Sequence, residues 1–166
     1  MKLVNTQIVR SVAAILTFGL FWMEQPALGH GNNCKEARGT LVEVFTAGGN
    51  SGAGTLSNAG WLNGATLVVF TGPVFNPLPT IFLFEGQFTI TTRHGQLKSS
   101  NLRLLDVATL KGNALGYIDP NGSTGIFAGA TGTLYLNVTK ATIAGSTQTF
   151  DSEVHGQVCF ARELTD

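Results

Sequence analysis

The sequence predicts an all-β protein, a closed antiparallel β-barrel of about eight strands, preceded by a cleaved N-terminal signal peptide. Three observations carry this expectation. Apolar and polar residues alternate with period two over much of the chain; clusters of Gly, Pro, Asn, Asp and Ser separate these stretches at regular spacing; and nothing beyond residue 29 sustains a helical period.

The leader comes first. Met1-Lys2 and Arg10 precede SVAAILTFGLFWM, an uncharged run from Ser11 to Met23 that is too short to span a bilayer. Ala27-Leu28-Gly29 follows, a small-x-small pattern that suits cleavage before His30. The expected division is residues 1–29 as signal peptide and 30–166 as one β-barrel domain, secreted, periplasmic or extracellular, with no stable membrane span after cleavage. Cys34 does not directly follow the apolar run, which argues against a lipid-anchored amino terminus.

Ten basic and ten acidic residues fall to eight and nine once Lys2, Arg10 and Glu24 are removed. No basic field remains to hold nucleic acid or an anionic membrane. Cys34 and Cys159 are the two cysteines, one near each end of the mature chain. In an oxidising compartment they would be joined, with two independent buried thiols as the alternative, because pairing needs a geometry that sequence does not supply. Their spacing has no zinc-site pattern, and neither a metal nor another cofactor is expected.

Strands are expected at ARGTLVEVF (37–45), GWLNGATLVVF (60–70), IFLFEGQFTITT (81–92), LKSSNLRLLD (97–106), TLKGNALGYI (109–118), TGTLYLNVT (131–139) and TFDSEVHGQVCF (149–160). AGGNSGAG (47–54), TGPVFNPLP (71–79) and DPNGSTG (119–125) read as loops, and Arg93 to Gln96 as the turn of a hairpin. Two features favour a barrel over a sandwich. Gly64, Gly86, Gly116 and Gly156 fall inside strand patterns, where sharply curved strands use glycine, and a cysteine bridge would fasten the first strand to the last.

Residues 122–136, GSTGIFAGATGTLYL, invite a chemical reading. A phosphate-binding loop needs GxxxxGK[ST], and no lysine follows these glycines before Lys140. The dinucleotide fingerprint needs a helix after GxGxxG, and a nucleophile elbow needs a glycine where Asn121 stands, two positions before Ser123. Tight backbone geometry leading into a strand is the expected use. The run from Ser123 to Gly132, STGIFAGATG, resembles the glycine-rich stretch of the allene oxide cyclase and dirigent barrel superfamily, with weaker support from the hairpin at 82–105 and the last strand with Gly156 and Cys159. It departs from that pattern at Ser123 and Ile126. The resemblance implies an eight-stranded antiparallel barrel with a lumen and, as in plant members, a homotrimer. It carries over no catalytic set.

The candidate pocket residues are Phe82, Phe84 and Phe88, which share one face with Ile90, together with Glu85 and Gln87 of the opposite face, Tyr117 and Tyr135. Which strand face points inward is open at this stage. Glu43, Glu85, Asp106 and Glu153 could act as acids or bases if buried, but a solvated face is the expected setting for each. Glu153, His155, Gln157 and Cys159 alternate onto one face of the last strand, read as an exposed polar face. Three functions follow: a barrel binding a small hydrophobic molecule, an enzyme of the cyclase or dirigent kind steering a reactive intermediate, and a non-catalytic, self-associating envelope or surface protein.

Overall fold

The structure is a computed structural model that describes residues 33–162; the expected signal peptide lies outside the described residues. Nine strands follow one another: β1 (Cys34–Thr46), β2 (Ser51–Ser57), β3 (Gly64–Phe70), β4 (Phe75–Leu78), β5 (Ile81–Thr92), β6 (Gly95–Asp106), β7 (Lys111–Ile118), β8 (Thr131–Ala144) and β9 (Thr147–Cys159). Every pairing is antiparallel, in the order β3-β2-β1-β9-β8-β7-β6-β5-β4, and β3 also pairs with β5. That last pairing closes an eight-stranded barrel. The short β4 lies outside the ring of eight and borders the first residues of β5, while β3 borders Gly86 to Thr91.

Three segments differ from their expected assignment. AGGNSGAG is not all loop, because its last four residues begin β2. The reason is spatial: a Cβ at Gly52 would fall on the ring of Phe45 across the β1–β2 pair, so a strand poor in side chains is what the lumen admits there. Gly60–Leu62 is a 3-10 turn rather than the start of β3, with Gly60 at φ 58° and the Asn63 side chain accepting the Ala59 N–H at 2.7 Å. TGPVFNPLP contains β4, whose four residues are all exposed.

Closure turns alternation into inside and outside. Leu41, Glu43 and Phe45 of β1 face the lumen, as do Val68 of β3, Phe88 and Ile90 of β5, Leu97 of β6, Leu134 and Leu136 of β8, and Val154 and Val158 of β9. Gly64, Gly86 and Gly156 serve curvature: a Cβ at any of them would strike a backbone carbonyl of the adjacent strand, at Thr91, Val69 and Thr133 respectively.

One end of the barrel is plugged. The 3-10 turns Gly60–Leu62 and Gly125–Phe127 fold across it, and Trp61, Phe127 and Phe160 pack there with ring centroids 5.4 to 6.1 Å apart. Phe127 is fully buried, so the glycine-rich segment supplies the plug's centre. Gly125 takes φ 63°, and a Cβ there would collide with the His94 carbonyl. Ser123 and Thr124 hold the segment against β6: Lys98 N–H donates to Ser123 Oγ at 3.0 Å, Gln96 N–H donates to Thr124 Oγ1 at 3.1 Å, and Ser123 Oγ donates to the Asp119 carbonyl at 2.8 Å. Its hydroxyls are structural hydrogen-bond partners.

Cys34 and Cys159 are joined, and they are direct partners in the β1–β9 ladder with Cα atoms 3.9 Å apart. The bridge spans 125 residues of sequence. A crosslink closing so long a loop removes much entropy from the unfolded chain. Replacing both cysteines with serine should lower unfolding stability by about 4–5 kcal/mol on the chain-entropy argument, measured by urea denaturation of oxidised protein and variant.

Candidate functional site

Above the plug the lumen is filled by Leu41, Leu56, Val68, Phe88, Ile90 and Leu134, but toward the other end the side chains draw apart. A cavity of about 610 Å³ opens there, beneath the β1–β2 turn and the segment before β5. Its walls differ in character. Phe150, Phe45, Phe70, Phe84 and Phe82 form a continuous aromatic series, with centroid separations of 5.6, 5.8, 4.9 and 6.2 Å between successive rings. Each well-placed aromatic pair contributes about 0.5–1.5 kcal/mol beyond its buried area, so these rings hold one another against the wall. Leu105, Leu136 and Val138 form the aliphatic side. A register shift between Val138 and Lys140 lets β8 bend past the cavity, and Thr139 Oγ1 donates to the Asp151 carbonyl at 3.0 Å at the bulge.

Two charges reach the interior. Glu43 comes from β1 and Arg103 from β6, and the guanidinium grips the carboxylate in a fork, Nη1 to Oε2 at 2.8 Å and Nη2 to Oε1 at 2.9 Å. Their side chains are 3% and 12% exposed, so the pair is largely removed from water. Arg103 Cζ also lies 5.5 Å from the centroid of Phe88, which places a ring face near the cation. The solvated face expected for Glu43 is therefore wrong. Its neighbours Val42 and Val44 turn outward, and the carboxylate shares the inward parity of Leu41 and Phe45.

Arg103 belongs to a polar file along β6, after Ser99 and Asn101, all facing inward. The Ser99 hydroxyl, both polar atoms of the Asn101 side chain, Thr66 Oγ1 and Arg103 Nε have no hydrogen-bond partner among the described residues. The lumen therefore carries polar groups that no other protein side chain engages.

The sequence candidates separate cleanly by face. Phe82 and Phe84 line the cavity, and Phe88 lies deeper, 1% exposed, near Arg103. Glu85 and Gln87 stand on the outer face of β5, where alternation with buried Gly86 and Phe88 puts them. Tyr117 and Tyr135 are likewise outside, 62% and 44% exposed, and the Tyr135 hydroxyl donates to Asn113 Oδ1 at 2.7 Å. These four polar candidates do not line the cavity. Arg103 was missed by sequence reasoning, because it sits between Leu102 and Leu104, and alternation with leucines normally sends the charge outward.

The remaining carboxylates are also outside the lumen. Asp106 ends β6 and caps the following turn; the Thr109 hydroxyl, and after it the Ala108 N–H, hold its carboxyl below the ordinary aspartate value. Glu153 and His155 lie on the outer face of β9, where His155 Nε2 is 3.6 Å from Glu153 and Arg38 Nε donates to His155 Nδ1 at 3.5 Å. Among the described residues no group of three or more His, Cys, Asp or Glu is placed to hold a metal ion.

Glu43→Ala or Arg103→Ala strands the partner charge inside the barrel. Each should lower stability by about 3–5 kcal/mol in urea denaturation, whereas Glu43→Leu combined with Arg103→Met should recover most of that loss.

No family model matches the chain, and neither the curated proteins nor the solved structures give a significant match.

Proposed function

We propose that the chain is an exported barrel that binds one small hydrophobic molecule in the open half of its lumen. The observation that carries this reading is the cavity: about 610 Å³ of space, walled by phenylalanines on one side and aliphatic residues on the other. That size falls within the range of ligand sites, roughly 300–1,000 Å³, and eight strands leave room for one small ligand when side chains do not fill the interior. The likeness of STGIFAGATG to allene oxide cyclase and dirigent barrels agrees with such a use, and we keep membership of that superfamily as part of the proposal.

The cyclase or dirigent reading has one observation in its favour, the inward carboxylate of Glu43. Both of its oxygens are engaged by Arg103 Nη1 and Nη2 at 2.8 and 2.9 Å, so the group is tied up as an ion pair. Binding accounts for the geometry with fewer demands. A general base must be within hydrogen-bond reach of the substrate proton it takes.

The probe N-phenyl-1-naphthylamine, an uncharged aromatic whose fluorescence rises out of water, should bind the oxidised mature protein with a Kd of about 10 µM or tighter. Val138→Trp, which places an indole in the cavity wall, should weaken that binding by about tenfold or more while leaving the far-ultraviolet spectrum unchanged. No fluorescence rise in the wild type, or equal binding by a folded Val138→Trp variant, would remove the reading.

Export rests on the order of charge, apolar run and small residues in the leader, and the Cys34–Cys159 bridge supports an oxidising destination. Amino-terminal sequencing of protein recovered from outside the cytoplasm should begin at His30; a chain that retains Met1 would refute the assignment.

A further inference from the structure

We propose that the cavity selects an uncharged ligand, an apolar body with at most a hydroxyl or carbonyl end, and that the Glu43–Arg103 pair imposes the selection. This rests on the ligand-binding reading above and adds the chemical class of the molecule.

Glu43 and Arg103 are the charged side chains lining the cavity, and they cancel one another. The fork uses both carboxylate oxygens and both terminal guanidinium nitrogens, at 2.8 and 2.9 Å. A ligand carboxylate entering this space would either share Arg103 with Glu43, leaving two carboxylates against one cation, or pull Arg103 away and strand Glu43 instead. An ammonium group meets the same problem with the signs reversed. In both cases one buried charge is left without a partner, which costs more than an apolar body recovers.

A neutral polar group faces no such conflict. Ser152 of β9 lines the cavity, buried and on the strand next to Glu43, and Asn76 and Gln148 line it closer to the solvent end. These offer a hydroxyl and amides to a hydroxyl or carbonyl oxygen without disturbing the ion pair. The aromatic series from Phe150 to Phe82 would take the apolar body. Aromatic walls with an internally neutralised charge pair suit an uncharged, weakly polar molecule.

The test is displacement of N-phenyl-1-naphthylamine from the oxidised mature protein at neutral pH by three compounds with the same ten-carbon chain: 1-decanol, decanoate and decyltrimethylammonium. Decanol should displace the probe at concentrations at least about tenfold lower than either ion. Displacement by decanoate or the cation at concentrations equal to or below those of decanol would overturn the proposal. The role of the pair is read in two single variants. Glu43→Gln frees Arg103 and should shift the decanoate-to-decanol ratio by about tenfold toward the anion, and Arg103→Gln should shift preference toward the cation. An unchanged ranking in either variant, provided it folds, overturns the assignment of selectivity to the pair; if neither folds, the wild-type ranking still decides for or against an uncharged ligand. Failure of the probe to bind the wild type at all would instead refute ligand binding itself, so the two readings fail by different outcomes.

Discussion

The ladder between β1 and β9, thirteen residue pairs from Cys34↔Cys159 to Thr46↔Thr147, is the constraint on which the rest of the structure depends. It joins the first strand to the last and, together with the β3–β5 pairing, closes the sheet on itself. It also decides which side chains are inside. The side-chain period of a strand is two, so a slip by one residue would send Val42 and Val44 into the lumen and put Glu43 in water. The disulfide holds this register at the plugged end, where the two cysteines are direct partners.

From that register follows a barrel with two unlike halves. Near the plug, Leu41, Val68, Phe88, Ile90 and Leu134 meet across the axis and Trp61, Phe127 and Phe160 close the end. Toward the open end the large residues are aromatic, and they stack along the wall on one another instead of across the axis. Volume is left between them. The Glu43–Arg103 pair stands at the boundary of the two halves, between Phe88 and the cavity. A buried pair of this kind contributes little net stability compared with apolar residues of similar size, yet its loss on one side only is expensive. The pair, together with Ser99, Asn101 and Thr66, gives the lumen a polar interior that packing alone does not require.

Much of the scaffold was legible from residue patterns. IFLFEGQFTITT alternates so regularly that strand and hairpin partner could be read together, though not which of its two faces points inward, and β5 pairs with β6 from Ile81↔Asp106 to Thr92↔Gly95. Legibility failed where side chains were too small or the pattern ran backwards. SGAGTLS carries almost no alternation, because its inward positions Gly52 and Gly54 are emptied for Phe45 and for the neighbouring strand. In NLRLLD the usual reading is inverted: Leu102 and Leu104 are 50% and 39% exposed while Arg103 enters the lumen. LVEVF is apolar on both faces, so nothing local told whether Glu43 or Val44 would be inside. The candidate site suffered accordingly, with the phenylalanines of β5 identified and the arginine that pairs with Glu43 overlooked.

The sequence by itself determined the all-β class, every strand but β2 and β4, and the use of STGIFAGATG as tight backbone geometry, because propensity, alternation and glycine chemistry act over a few neighbouring residues. Tertiary structure alone decided that the barrel is hollow at one end and that two charges sixty residues apart meet inside it. Both outcomes depend on the register with which distant strands close, and a register is a relation between segments that no single segment encodes.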